Sequence, residues 1–154
     1  MTKRIILGVL CILVLIFILG NSLLPPDTSG KISGAVGEIL AGILGEGDAN
    51  QTVGGVSVRK IGHFVEFFAL GVLAVLLLRL LFKDRYFRCS VVVIVGLLIP
   101  VVDETVQIFS SRGSALGDVW IDVSGYAVGA GLACAAVILL KRLKIRVKNN
   151  NKNQ

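Results

Sequence analysis

Residues Ile5–Leu24, IILGVLCILVLIFILGNSLL, form a run of 20 residues that carries no charge. A bilayer core about 30 Å thick requires about 20 helical residues, which is the length of this run. Lys3 and Arg4 precede it, and Pro25-Pro26 end it. The run is long for a signal peptide and no small-residue cleavage pattern follows, so we interpret it as a retained membrane helix.

Three further apolar blocks follow, over residues 64–82, 89–109 and 119–140. The third span needs residues beyond Val102 to cross a bilayer, so it must continue through Asp103 and Gln107. The fourth is rich in Gly and Ala, and its Gly125 and Gly129 form a G-x-x-x-G pair that permits close helix approach. The sequence therefore predicts an all-α membrane protein with four transmembrane helices.

The loop between the first two spans predicts one more element. Ile32, Val36, Ile39, Leu40 and Ile43 recur at helical spacing, which indicates an amphipathic helix on the extracytoplasmic surface, the alternative being a partly ordered loop. We assign residues 1–147 to a single transmembrane domain. The polar segment 148–154, KNNNKNQ, is predicted to be disordered.

Composition narrows the class of protein. Of the 154 residues, 55% are hydrophobic and 17% are charged, against ~25% charged in a typical soluble domain. This excludes a soluble enzyme, a secreted disulfide scaffold and a disordered chain. The net charge of +6 comes without interleaved aromatic residues, so we predict a bilayer as partner and no nucleic acid. The sequence gives no indication of the oligomeric state.

The distribution of basic residues predicts the orientation. Twelve of the sixteen Lys and Arg residues lie at the N-terminus, at the end of span two and in the loop that follows it, or after span four. Only Lys31, Arg59, Lys60 and Arg112 fall on the other side. By the positive-inside rule, both termini face the cytoplasm.

Ionisable and polar residues within or beside the predicted spans gather at one depth, the outer boundary of the bilayer. Such residues are costly in a membrane and persist when they are paired or hydrated, so they indicate a candidate site. The predicted ligand-binding set is Arg59, Lys60, His63, Glu66, Asp103, Glu104, Gln107, Arg112, Asp118 and Asp122.

This set has a structural and a functional interpretation. It can be an ion-pair network that fixes the helices, or a pocket open to the outer face of the membrane. If the protein is an enzyme, the catalytic candidates are His63, Glu66, Asp103 and Glu104. His63, Glu66 and the nearby carboxylates are acceptable metal ligands, but with one His in the chain and no H-x-x-x-H spacing we predict no metal site and no cofactor. No G-x-S-x-G elbow supports a serine hydrolase.

Two segments carry a resemblance to a family. They are RKIGHFVEFFALG from Arg59 and DETVQIFSSRGSALGDVWIDVSGYAVG from Asp103. Together they resemble the VanZ-like family of small bacterial membrane proteins over residues 59–129. The family's polar positions fall on Lys60, His63, Glu66, Asp103, Glu104, Gln107, Arg112 and Asp118. Two residues depart from the pattern, because Asp122 stands where Asn is usual and Phe67 where Tyr is common.

The resemblance implies a multi-pass protein of the bacterial cytoplasmic membrane. It also implies a link to resistance against the glycopeptide teicoplanin, since the founding member has that phenotype. Glycopeptides act on lipid-linked peptidoglycan precursors at the outer surface. We therefore expect a module that binds a polar headgroup, a cell-wall precursor or a glycopeptide. The alternative is an intramembrane enzyme acting on a lipid-linked cell-envelope substrate.

Overall fold

The computed structural model describes residues 2–24, 31, 52–53, 56–109 and 116–150. Within them lie four long helices, α1 (Thr2–Leu23), α2 (Val58–Leu81), α3 (Arg85–Phe109) and α4 (Leu116–Asn150). Each is long and apolar enough to cross a membrane. The four predicted spans are therefore confirmed. The predicted amphipathic helix and Arg112 lie outside the described residues.

Two features differ from the expectation. Strands β1 (Thr52–Val53) and β2 (Val56–Ser57) form a short antiparallel pair before α2, and the sequence between them is Gly54-Gly55, a pair typical of two-residue hairpins. Helix α4 also continues past Leu140 to Asn150, into the tail predicted to be disordered. Residues 141–150 contain no Pro or Gly, so nothing in this basic stretch breaks the helix.

The connection between α2 and α3 is short and closed by side chains. Asp84 caps α3, because its Oδ1 accepts hydrogen bonds from the backbone N–H groups of Tyr86 (2.7 Å) and Phe87 (3.2 Å). Arg88 donates to the backbone carbonyls of Phe82 and Lys83, both at 2.8 Å, at the end of α2. This tight turn makes α2 and α3 neighbours in the bundle.

The core lies mainly between α2 and α4, which make the most extensive helix contact. Phe67, Leu70 and Ala74 of α2 meet Tyr126 and Ala130 of α4 there, and Ile18 of α1 also joins this core. The outward surface is apolar as well, with large side chains such as Ile16, Leu98 and Leu139 more than half exposed. A bundle that is apolar outside suits lipid as its solvent.

Glycines bring the backbones of α2 and α4 close together. A Cβ atom at Gly125 would lie 2.4 Å from the carbonyl oxygen of Phe64, and one at Gly129 would lie 2.1 Å from that of Phe68. From the α2 side, a Cβ at Gly71 would lie 2.3 Å from the carbonyl oxygen of Tyr126. Since only glycine fits at these points, the G-x-x-x-G pair functions here as a contact within the chain. We call these three glycines the glycine seam.

Candidate functional site

A cluster of buried ionisable side chains lies at one end of the bundle. His63 of α2, Asp103 of α3 and Asp122 of α4 approach one another there. The Nδ1 atom of His63 lies 3.3 Å from Oδ1 of Asp122 and 3.7 Å from Oδ2 of Asp103. His63 is 6% exposed, and both aspartates are fully buried. We call these three residues the His-Asp-Asp cluster.

Hydrogen bonds hold the Asp103 carboxylate from both sides. Ser22 of α1 donates its hydroxyl to Oδ1 at 2.6 Å, and the Gln107 amide donates to Oδ2 at 2.8 Å. The same Gln107 amide nitrogen also donates to the Ser22 hydroxyl at 3.2 Å. Arg59 in turn donates to the Gln107 carbonyl oxygen. Asp103 is therefore fixed by a network that reaches from α1 through α3 to α2.

The glycine seam sets the distance between His63 and Asp122. Gly125 lies less than one turn beyond Asp122 on α4, and it packs against the backbone of Phe64, the residue after His63. Because the two backbones meet at this level, a short His and a short Asp side chain can approach within 3.3 Å. Larger residues in the seam would separate the two helices and widen this gap.

Further polar pairs surround the cluster. Glu66, one turn after His63 on α2, accepts a hydrogen bond from the Asn21 amide of α1 at 3.1 Å. Lys60 lies 3.9 Å from Asp118, with half of the Lys60 side chain exposed, so this pair lies at the rim. Such an exposed pair contributes little to stability. Glu104 is buried at the level of the cluster.

The structure brings most of the predicted residues to one level of the bundle. Arg59, His63, Asp103, Gln107 and Asp122 form one connected network. Nearby, Lys60 near the start of α2 pairs with Asp118 near the start of α4. Glu66 of α2 pairs with Asn21 of α1.

Sequence reasoning missed the contribution of α1, namely Asn21 and Ser22. The signal was present, because these are the two strongly polar residues of the run Ile5–Leu24 and lie at its outer end. In an antiparallel bundle, that end meets the start of α2 and the end of α3.

The His-Asp-Asp cluster also has the composition of a metal site. One ligand atom from each of the three residues lies within 4.8 Å of the other two. Imidazole nitrogen and carboxylate oxygen are ligands for divalent transition metals. The sequence predicted no such site, because its three donors come from three separate helices and leave no spacing motif.

A comparison with known protein families shows which family the chain belongs to. A family model described as VanZ/LLP1 matches residues 7–140. The chain belongs to the VanZ family. The match extends the resemblance of residues 59–129 and includes all of α2 and α3 and most of α1 and α4 of this VanZ family protein. No curated protein and no solved structure matches the chain.

Proposed function

We propose that this VanZ family protein is a binding module for the polar head of a lipid-linked cell-wall precursor, with a glycopeptide as the competing ligand. The observation that carries the proposal is the convergence of buried polar side chains from all four helices at one level of the bundle. Packing of apolar surfaces between transmembrane helices does not require these buried polar side chains. Their position at one end of the helices supports contact with groups at the membrane surface.

The energetic cost of the cluster supports a role in binding. An aspartate in the middle of a membrane costs ~2.5–3.5 kcal/mol on insertion scales, and less near the interface. Asp103 and Asp122 are fully buried, and His63 and Glu104 nearly so. The glycine seam and apolar core already hold α2 against α4. A polar cluster of this size therefore exceeds what helix packing requires.

The rim supplies groups for an anionic ligand. Arg59 and Lys60 lie in the first turn of α2, next to the cluster, and Lys60 is half exposed. A guanidinium and an ammonium suit phosphate and carboxylate groups. The positive-inside rule predicts this end on the extracytoplasmic face, where glycopeptides meet their precursor target. This orientation supports the expected link to teicoplanin resistance.

The test compares variants of the cluster with a matched variant at the opposite end. Asp103→Asn removes a buried charge from the cluster, whereas Asp84→Asn removes an exposed charge from the α2–α3 turn and retains a good helix cap. Glu104→Gln probes the adjacent carboxylate of the same segment, and Arg112→Ala probes the segment that follows it in the sequence. We expect Asp103→Asn, Glu104→Gln and Arg112→Ala to abolish the protein's effect on teicoplanin susceptibility, at unchanged membrane levels.

Asp84→Asn should retain the wild-type effect. Wild-type susceptibility in all three other variants would refute a shared site for this phenotype. Native mass spectrometry of the purified protein would then separate the two ligands. A retained precursor lipid supports the headgroup proposal, and binding of teicoplanin alone supports the competing ligand.

A specific observation favours the enzyme as a second candidate. His63 has its Nδ1 between two carboxylates, an arrangement that orients the imidazole for acid–base chemistry. The Ser22 hydroxyl donates to Asp103, so it is not paired with His63 as a serine nucleophile would be. Chromatography of a lipid-linked pyrophosphate incubated with the protein tests this candidate. Turnover that is lost in His63→Asn would favour the enzyme over the binding module.

A further inference from the structure

The strongest additional feature is the unsatisfied hydrogen-bonding capacity of the His-Asp-Asp cluster. Among the described residues, neither Nδ1 of His63 nor either carboxylate oxygen of Asp122 has a hydrogen-bond partner. All three atoms are buried, and buried polar atoms nearly always have one. The separations of 3.3 Å and 3.7 Å also exceed the usual N–H···O range of 2.7–3.2 Å. These atoms face one another at ion-pair distance, without the shorter contact of an ordinary hydrogen bond.

The two buried carboxylates of the cluster require a compensating positive charge. Asp103 and Asp122 bring two carboxylates into a fully buried position, together with one imidazole. Within the described part of the chain, neither Arg59 nor Lys60 forms an ion pair with these two carboxylates: Arg59 donates to the Gln107 carbonyl oxygen, and Lys60 pairs with Asp118. A divalent cation would neutralise the two carboxylates with a neutral imidazole as third ligand.

Two of the three separations between donor atoms are close to those of a small four-coordinate metal site. Zn²⁺ binds imidazole nitrogen and carboxylate oxygen at about 2.0–2.2 Å, so two ligands at a tetrahedral angle lie about 3.3–3.6 Å apart. The two distances from Nδ1 of His63 are 3.3 Å and 3.7 Å. Calcium and magnesium prefer all-oxygen ligands, and the imidazole disfavours both.

The surroundings of Asp103 resemble the outer shell of a metal site. Its carboxylate already accepts hydrogen bonds from Ser22 and Gln107, which fix its orientation. Ligating carboxylates are usually held in this way by neighbouring donors. We propose that His63, Asp103 and Asp122 bind one divalent transition-metal ion, with Zn²⁺ as the best fit. Three protein ligands would leave a fourth position for water or an anionic group.

The experiment uses the metal alone as its probe, so its result does not depend on the ligand proposed above. The full chain is purified in detergent, treated with a chelator and titrated with Zn²⁺ by calorimetry. Co²⁺ is then substituted, because tetrahedral Co²⁺ has intense visible absorption bands. Asp122→Asn removes one ligand. Asp118→Asn makes the same charge change one turn earlier on α4, outside the cluster, and is the matched control.

We expect one Zn²⁺ per chain and a tetrahedral Co²⁺ spectrum in the wild type and in Asp118→Asn. Asp122→Asn should bind Zn²⁺ at least tenfold more weakly and lose the Co²⁺ bands, while its elution volume and helical circular dichroism stay unchanged. A wild type that binds no Zn²⁺ overturns the proposal and leaves a shared proton as the counter-charge. The proposal is also overturned if Asp122→Asn binds Zn²⁺ as tightly as the wild type.

A separate observation concerns a cavity along the sides of α3 and α4. A cavity of about 630 Å³ runs along α3 and α4 and is bounded by α2 at one end. Its walls are apolar, from Leu97 and Val123 to Val137. Four basic residues line its other end, namely Arg79, Arg85, Arg88 and Lys141. We call this cavity the basic-ended groove.

The groove combines the two features that recognise an anionic lipid. Its apolar wall on α4 extends from Val123 to Ile138, which corresponds to about 23 Å of helix and is comparable with the length of an acyl chain. Basic pockets between transmembrane helices attract anionic headgroups. We infer that the groove binds a phospholipid with an anionic phosphate headgroup, with its chain along the apolar wall.

Native mass spectrometry of protein from mixed phosphatidylglycerol and phosphatidylcholine nanodiscs tests this inference. The wild type should retain phosphatidylglycerol at least tenfold over phosphatidylcholine. The double variant Arg79→Gln, Arg85→Gln should lose this preference. The double variant Arg142→Gln, Lys144→Gln alters two exposed basic residues outside the groove and should keep it. No preference in the wild type, or equal loss in both double variants, refutes a specific lipid site.

Discussion

Gly129→Ala adds one methyl group at the closest approach of α2 and α4. The added Cβ would lie 2.1 Å from the carbonyl oxygen of Phe68, and ordinary van der Waals contact begins near 3.4 Å. The facing atoms are backbone atoms of a helix, so no side chain can rotate away. The two helices must therefore separate locally by about 1.3 Å, or the contact must be lost.

The expected magnitude follows from this geometry. Overpacking a well-packed core typically costs about 1–3 kcal/mol. Because the obstructing atom belongs to the backbone and the seam includes two more glycines, we expect Gly129→Ala to cost about 2–3 kcal/mol, in the upper part of that range. Gly131→Ala is the matched control on the same helix, since a Cβ at Gly131 meets nothing within 4 Å. That control should stay within about 1 kcal/mol of the wild type and can be slightly more stable.

Unfolding in mixed micelles of increasing sodium dodecyl sulfate, followed by far-ultraviolet circular dichroism, measures both variants. A second measurement follows from the position of the seam, because separating α2 from α4 also moves His63 away from Asp122. Gly125→Ala should therefore reduce the teicoplanin phenotype although it removes no polar group. Equal stability of Gly129→Ala and Gly131→Ala would refute the argument that backbone contact holds these helices together.

Two further predictions concern the network and the topology. Ser22→Ala leaves the buried Asp103 carboxylate with one hydrogen bond fewer and should cost about 1–3 kcal/mol in the same unfolding assay; Ser90→Ala, at an exposed position, should change stability by less than about 0.5 kcal/mol. In a chain whose native cysteines are replaced by alanine, a cysteine at Ala49 should react with an impermeant maleimide on intact cells, and one at Asp84 only after permeabilisation. The reverse labelling would move the cluster to the cytoplasmic face.

Each of the four helices could be predicted from sequence because span length is a one-dimensional property. An uncharged run such as Ile5–Leu24 is long enough for a bilayer by itself, and no neighbour is needed to decide it. The common depth of His63, Asp103 and Asp122 also followed from counting residues along antiparallel spans. The family resemblance came from the same local motifs.

The contacts between side chains of different helices depend on tertiary packing. Asp103 and Glu104 are adjacent on one helix and diverge by about 100°, so the sequence could not tell which one approaches His63. Ser22 enters the network through the packing of α1, and Gly125 and Gly129 contact α2 of the same chain rather than a second copy. These outcomes depend on helix rotation and separation, which are set by contacts between residues far apart in the chain. A linear pattern records which face of a helix is polar, but packing alone determines its distance from the polar face of a neighbour.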